Sequence, residues 1–180
     1  VSAHIDGGSY GYLSGGASLN LSSGKWTNRV SGSYTRSDGY SRSKAGKLNG
    51  DFYGGKAFYQ GGYEDSDIKV DWHAGLSSRD FGSNTFYGTG SDNQFEHTFK
   101  TYTAVQAETK RGKFHLKPSI YWNRNMDRFE WFRGHDGKKP EGLSYGVPYN
   151  YHRTDVYGVN LNSYFDWAFG RTAISAELRN

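Results

Sequence analysis

The sequence predicts an all-β fold, an antiparallel sheet that forms a section of a transmembrane β-barrel. Three observations lead to this prediction: apolar and polar residues alternate, connections alternate between short and long, and aromatic residues outweigh aliphatic ones. The clearest alternation runs over 67–76, where the even positions are Ile68, Val70, Trp72, Ala74 and Leu76. The odd positions are charged, histidine or glycine, so this stretch is typical of a strand with one apolar and one polar face.

The composition excludes several classes of protein. Hydrophobic residues make up 34% of the 180 positions, which is low for a soluble core, whereas aromatic residues reach 17%, which is high for a disordered chain. No apolar run approaches the roughly 18 residues of a membrane helix. A membrane barrel is compatible with the mean hydropathy of −0.85, because only alternate residues face lipid. The net charge of +4 is scattered, so no nucleic-acid surface is predicted.

The alternation recurs from end to end and predicts about nine strands. Apolar rows run over 1–5, 13–21, 26–34, 68–76, 99–107, 114–122, 157–167 and 172–178. A strand over 48–60 is predicted from its context, since its aromatic residues occupy both parities. Pro118 cannot donate a ladder hydrogen bond, so we expect a bulge at that position.

The connections and the aromatic residues favour a membrane barrel. Short turns are expected near Ser23, Tyr63, Arg111 and Gly170, and longer polar loops over 37–47, 78–94 and 133–150. Outer-membrane barrels have short periplasmic turns and long extracellular loops. Aromatic residues of the apolar parity lie near strand ends, where interfacial girdles are found: Trp26, Tyr34, Phe114, Trp122, Phe165 and Trp167.

About nine strands do not close a bacterial barrel. Single-chain barrels of this kind have even numbers of strands, and an open sheet edge is not tolerated in lipid. We therefore expect residues 1–180 to form one partial barrel domain, a section of a larger protein that also has other strands.

No catalytic residue is predicted. Two matches to G-x-S-x-G, over 7–11 and 142–146, lack the preceding buried strand and following helix of a hydrolase elbow. The six histidines show no metal-ligand spacing, and the chain has no cysteine. We expect no enzyme activity, no cofactor and no resident metal ion.

Two groups of residues are candidates for function. A polar row is predicted to face a water-filled lumen: Lys69, Asp71, His73, His115 and Lys117. Exposed aromatic residues on polar loops suggest a ligand surface, a lid or packing between loops. The candidate ligand-binding residues in and beside the long loops are Asp80, Phe81, Asn84, Phe86, Tyr87, Trp131, Phe132, His135, Tyr145, Tyr149 and Tyr151.

Four segments, in order along the chain, carry a resemblance to a known family. The most informative is DFGSNTFY at 80–87, continued by DNQFE at 92–96, and the others lie at 32–40, 126–130 and 152–158. Together they resemble TonB-dependent outer-membrane receptors and, within that family, the vitamin B12 transporter type. The resemblance covers essentially the whole chain.

The resemblance implies a 22-stranded barrel that is plugged by an N-terminal domain and energised through TonB. Such a receptor imports a scarce, bulky nutrient, and cobalamin is the substrate that the resemblance implies first; related receptors carry siderophores, haem or glycans. Expected partners are outer-membrane lipid and the TonB complex, which acts through the plug. A surface-exposed, substrate-binding lipoprotein is a further candidate partner.

Two other classes of protein remain open at this point. One is a passive porin or adhesin barrel without a plug. The other is a soluble β-rich module that uses its aromatic residues to bind sugars. The soluble module requires Val70, Trp72 and Leu76 to lie in a protein core, whereas a barrel requires them to face lipid.

Overall fold

The computed structural model describes residues 1–40, 49–84, 93–134 and 149–180, whose regular structure is entirely β-strand. The nine strands are β1 (Ser2–Gly7), β2 (Leu13–Ser23), β3 (Trp26–Ser37), β4 (Phe52–Glu64), β5 (Ile68–Asn84), β6 (Gln94–Thr109), β7 (Phe114–Glu130), β8 (Tyr149–Trp167) and β9 (Gly170–Arg179). They form one sheet in which each strand pairs antiparallel with the next in sequence. The prediction of an all-β antiparallel fold is confirmed.

The described ranges contain no helix with the length and apolar character needed to cross a membrane.

Several strands extend beyond their predicted apolar rows. β5 continues to Asn84 and β6 begins at Gln94, so part of the loop predicted over 78–94 is paired strand. β8 begins at Tyr149, well before the predicted start at residue 157. Backbone pairing continues here because it does not require apolar side chains. Polar cross-strand pairs such as His97 with Asp80 occupy these extensions.

The bulge predicted at Pro118 is absent, and that prediction is wrong. Pro118 pairs with Leu161 within a continuous register between β7 and β8. Pairing with β6 instead ends one residue away, at Ser119 opposite Gln106. Proline has no N–H to donate, so it ends the hydrogen-bond ladder on one side of the strand and leaves the other side intact.

In this register, the apolar rows of all the strands lie on the same face of the sheet. One row of successive partners from β2 to β8 contains Leu19, Val30, Tyr59, Ala74, Thr103, Trp122 and Tyr157. We call this side the apolar face, and the opposite side, which carries His73, Asp71 and their partners, the polar face. Large side chains of the apolar face are open to solvent, with 52% of Val30 and 56% of Ile120 exposed.

Strand pairing also shows on which face each aromatic residue of β4 lies, which the sequence alone did not decide. Tyr59 pairs with Ala74 and therefore lies on the apolar face, whereas Phe58 pairs with Gly75 and lies on the polar face. The parity is thus regular, and both faces of β4 carry aromatic rings.

Three glycines lie beneath the aromatic ring of a cross-strand partner. The pairs are Gly61 with Trp72, Gly75 with Tyr102 and Gly158 with Tyr121. A Cβ atom added at any of these glycines would overlap the facing ring. An aromatic ring that covers a glycine shields its backbone and fixes the register of the two strands.

The turn between β4 and β5 is organised by the carboxylate of Asp65. Its Oδ1 accepts hydrogen bonds from the backbone N–H groups of Asp67 and Ile68, both at 2.9 Å. Its Oδ2 accepts from the Tyr63 hydroxyl at 2.8 Å and from Lys25 Nζ at 3.3 Å. The backbone donors hold the pKa of Asp65 well below its ordinary value, since they stabilise the carboxylate form.

The pair of Gly75 and Tyr102 yields a first prediction. Gly75→Ala places a methyl group where the Tyr102 ring lies, so the ring must move, and we expect a loss of about 1 kcal/mol in the free energy of unfolding. Urea unfolding of the full-length protein, followed by tryptophan fluorescence, measures it. Gly170→Ala is the matched control, because its added Cβ has no neighbour within 4 Å. Equal losses in the two variants would contradict the proposed packing.

Candidate functional site

The most buried side chains of the described residues lie where the long connections enter and leave the sheet. Phe95, near the start of β6, is 5% exposed, and Phe132, just after β7, is 6% exposed. Phe129, Gln94 and Glu130 are buried beside the same strand ends. The sheet therefore has a small packed core at its loop end, which we call the loop-end core.

Arg133 joins three separate connections at the loop-end core. Its Nη1 donates to both carboxylate oxygens of Asp51, at 2.7 and 2.8 Å. Its guanidinium lies 4.2 Å from the ring centroid of Phe95, and its backbone N–H donates to the carbonyl of Asn93 at 2.8 Å. Charge-assisted hydrogen bonds and a cation–π contact thus hold together the segments that precede β4, precede β6 and follow β7.

A second set of contacts fixes the residues before β4. Asn49 Nδ2 donates to Asn93 Oδ1 at 2.6 Å and to the carbonyl of Gln94 at 2.7 Å. The backbone N–H of Gly82 donates to the carbonyl of Asp51 at 2.8 Å. The chain entering β4 is therefore anchored to β5 and to the start of β6.

The predicted ligand-binding residues of β5 lie on opposite faces of the sheet. Asp80 is on the side of the apolar face, and its Oδ1 lies 2.8 Å from His97 Nδ1. Phe81 is on the side of the polar face, where the guanidinium of Arg79 lies 5.7 Å from its ring centroid. The two neighbours therefore cannot contact the same small ligand.

The predicted ligand-binding residues after β7 and at the start of β8 also lie in different surroundings. Phe132 belongs to the loop-end core. The rings of Tyr149 and Tyr151 lie 5.8 Å apart, and Tyr151 is 69% exposed. Phe86, Tyr87, His135 and Tyr145, together with the side chain of Asn84, lie outside the described residues.

Trp131 is the predicted ligand-binding residue that lines a pocket. The pocket holds about 250 Å³ and is lined by Glu96, Asp127, Phe129, Trp131, Asn150 and His152. The rings of Phe129 and Trp131 meet edge to face at 5.4 Å, and His152 Nδ1 lies 2.7 Å from Asp127 Oδ2. Carboxylate and amide groups beside aromatic rings suit a polar ligand that also carries a flat or ring-shaped apolar part. We call it the loop-end pocket.

All five predicted lumen residues lie on the polar face. Lys69 pairs with Asp71 on the same strand, with 3.5 Å between Nζ and Oδ2. Lys117 on β7 reaches Glu108 on β6, with 3.4 Å between Nζ and Oε2. Both pairs are partly exposed, so they contribute little to stability and mainly keep this face hydrated.

His115 is the most enclosed of the five. Its Nδ1 lies 2.6 Å from the carbonyl oxygen of Thr109, and its ring stacks on Tyr164 with 4.4 Å between centroids. Since a carbonyl only accepts, Nδ1 carries the proton in this contact. The imidazole therefore closes the turn end of β6 and β7.

His73 belongs to an aromatic cluster that sequence reasoning missed. The ring centroids of Phe58, His73 and Tyr102 lie 6.0 Å from one another, and Phe58 stacks on Tyr102 with 29° between the ring planes. The sequence does carry one signal, which is the even-numbered position of Phe58 on β4. That position indicates a face of the sheet only once the pairing of β4 with β5 is known. The stacked rings of Phe58 and Tyr102 form an aromatic wall within the polar face, with the imidazole of His73 tilted against them.

No three His, Asp or Glu side chains of the described ranges gather closely enough to hold a metal ion. These ranges do contain two features suited to binding: an aromatic and acidic pocket at the loop end, and a polar face with ion pairs and a ring cluster.

Comparison of the chain with family models, with curated proteins and with solved structures gave no match.

The contacts of Arg133 yield a second prediction. Arg133→Ala and Asp51→Ala should each destabilise the protein, and the double variant should lose less than the sum of the two, by about 1 kcal/mol, because both remove the same ion pair. Denaturant unfolding of the four proteins of the cycle measures the coupling. Arg111→Ala is the control, since its side chain is 84% exposed and lies 3.7 Å from Asp67 at the other end of the sheet. Additive losses would contradict the structural role given to the pair.

Proposed function

We propose that this chain is a section of the barrel of a TonB-dependent outer-membrane receptor, which imports a scarce and bulky nutrient. Cobalamin, or another corrinoid, is the first candidate substrate. The membrane part of the proposal is supported by the two unlike faces of the sheet. The family is supported by the resemblance of the segments at 32–40, 80–96, 126–130 and 152–158.

The observation that carries the membrane assignment is the exposure of the apolar face. Val30, Ile120, Val159 and Leu161 lie in the middle of their strands, yet about half of each side chain is exposed. Soluble proteins rarely expose contiguous apolar surface on this scale. In a barrel the same side chains contact the acyl chains of lipid and not water, so leaving them uncovered by protein has no hydrophobic cost.

The height of the apolar face also fits a membrane. On β8 it extends from Tyr157 to Trp167, ten residue steps, or about 33 Å at 3.3 Å per residue. A tilt of about 40° reduces this length to a height of about 25 Å, the thickness of the apolar band on outer-membrane barrels.

Charged clusters bound this face on both sides. Towards the loops, Asp155 accepts from Arg124 Nε at 2.7 Å and from Arg153 Nε at 2.9 Å. Trp122 Nε1 donates to the same carboxylate at 3.0 Å. Towards the turns, Lys25 Nζ lies 3.3 Å from the carboxylate of Asp65 and 5.9 Å from the ring centroid of Tyr63. Aromatic and charged residues at the two edges of an apolar band are the arrangement expected at membrane interfaces.

The polar face would line the interior of the barrel, opposite a plug. Paired charges such as Lys117 with Glu108 hydrate such a passage without a net field. The loop-end pocket and the long connections would form the outer mouth, where the nutrient is captured. The TonB complex would act through the plug, and a surface lipoprotein is a further candidate partner at the mouth.

The membrane assignment yields a third prediction. Val105→Arg places a charge on the apolar face in mid-strand, and we expect it to cost about 2–4 kcal/mol in a lipid bilayer. Gln106→Arg, on the neighbouring residue of the polar face, should cost less than about 0.5 kcal/mol. Refolding of the full-length protein into lipid vesicles at graded urea concentrations measures both. Equal costs of Val105→Arg and Gln106→Arg would contradict a lipid-facing apolar face and would overturn the barrel.

The transport assignment yields a fourth prediction. Cells that express the full-length protein should accumulate labelled cobalamin, and the uptake should stop when TonB is deleted. Trp131→Ala should weaken cobalamin binding about tenfold, because the ring lines the loop-end pocket. Trp167→Ala, at the turn end of the sheet, is the matched control.

Two outcomes would redirect this proposal. Uptake that persists without TonB would favour a passive porin. TonB-dependent growth on a siderophore, haem or a glycan, without cobalamin binding, would keep the receptor class and change the substrate.

A further inference from the structure

A groove on the polar face is rich in cations. Two adjoining cavities, of about 590 and 270 Å³, share Ser33, Thr35 and Lys56. The larger cavity draws its lining from β1, β2, β3, β4 and β6, as expected of a sheet that curves toward its polar face. We call the two cavities together the basic groove.

The cations of the basic groove come from four neighbouring strands. Arg29 on β3 and Lys56 on β4 line the larger cavity, and Lys56 and Arg79 on β5 line the smaller one. Lys100 on β6 lies beside them, because Ser77 pairs with Lys56 on one side and with Lys100 on the other.

These four side chains form no ion pair with any described residue. Other cations of the polar face are paired: Lys69 with Asp71, Lys117 with Glu108 and Arg171 with Asp166. No carboxylate lines either cavity. Arg179 near the end of β9 is a further cation of this face without an ion pair among the described residues, so the groove is where such cations cluster and not the only place where they occur.

Their proximity has an electrostatic consequence. Two strand spacings separate the backbones of Lys56 and Lys100, which is about 10 Å. This distance is slightly more than the Debye length of about 8 Å at physiological ionic strength, so the repulsion between the charges is weak there and grows as the salt concentration falls. A concave protein surface of one sign focuses its field and concentrates ions of the opposite sign. A bound anion would relieve the repulsion.

The groove also has the form of a small-molecule site. Its floor consists of serine, threonine and glycine, which let a ligand approach the backbone closely. Phe58 and Tyr102, which stack on each other, form one wall. The volume of the larger cavity falls within the range of roughly 300–1,000 Å³ that is usual for ligand pockets.

We propose that the basic groove binds a phosphate-bearing small molecule. The guanidinium of Arg79, the ammonium groups of Lys56 and Lys100 and the hydroxyls of the floor offer donors from several directions, which suits a tetrahedral dianion better than a planar carboxylate. The stacked rings of Phe58 and Tyr102 would accommodate an apolar or aromatic part of the same molecule. This site goes beyond the proposed transport activity and does not depend on it.

Calorimetric titration of the purified full-length protein with inorganic pyrophosphate tests the proposal. We expect saturable binding that weakens at least tenfold between 50 and 500 mM salt. Lys56→Gln and Arg79→Gln should each weaken it about tenfold, since each removes a charge-assisted contact. Lys117→Gln is the matched control: it lies on the same face but is paired with Glu108, and it should leave the affinity within twofold.

Three results would overturn the proposal. The first is the absence of pyrophosphate binding at low salt in a protein whose tryptophan fluorescence shows it folded. The second is an equal loss of affinity in Lys117→Gln, which would mean that only net charge matters. The third is tighter binding of citrate than of pyrophosphate, which would assign the groove to carboxylates. None of these measurements depends on cobalamin uptake, so this proposal and the transport proposal can fail separately.

Discussion

The structure depends on a single register that is kept across nine strands. Because successive side chains point to opposite faces, a slip of one residue in any strand would bring its apolar row onto the polar face. Among the described strand pairs, the pairing shifts only between Gly82 and Asn84, at the loop end of β5. Local contacts fix the register between β4 and β5. Trp72 on β5 lies over Gly61 on β4, and the Asp65 carboxylate fixes the turn between the two strands.

The sequence predicted those features of the fold that depend on residues close together along the chain, such as the two faces of a strand. Period-two alternation over 67–76 gave the right faces for β5, and the polar rows placed His73 and His115 on the same side of the sheet. Alternation failed where polar residues also occupy the apolar face, as at both ends of the loop after β5, where Asp80 and His97 lie on that face. It also misjudged Pro118, because the effect of a proline depends on which neighbouring strand its missing N–H would have faced.

The loop-end core could not be predicted from the sequence, for a different reason. Arg133 and Asp51 are separated by 82 positions, and no local pattern links an arginine after β7 with an aspartate before β4. The same limit applies to the basic groove, whose cations come from β3, β4, β5 and β6 and meet only through pairing. Sequence reasoning located the strands and their faces, whereas the candidate sites arise where different strands come together.

Charged side chains are distributed differently over the two faces of the sheet, and this difference connects the fold to its proposed roles. Near the turns, cations such as Lys110 and Lys25 are paired with carboxylates. In the middle of the apolar face charges are absent from the row of Val30 and Tyr59, as a lipid-facing surface requires. Only in the basic groove do cations gather without a carboxylate among the described residues. Lys56, unlike Lys117, has no carboxylate partner among the described residues, and this difference supports the proposed binding of an anion.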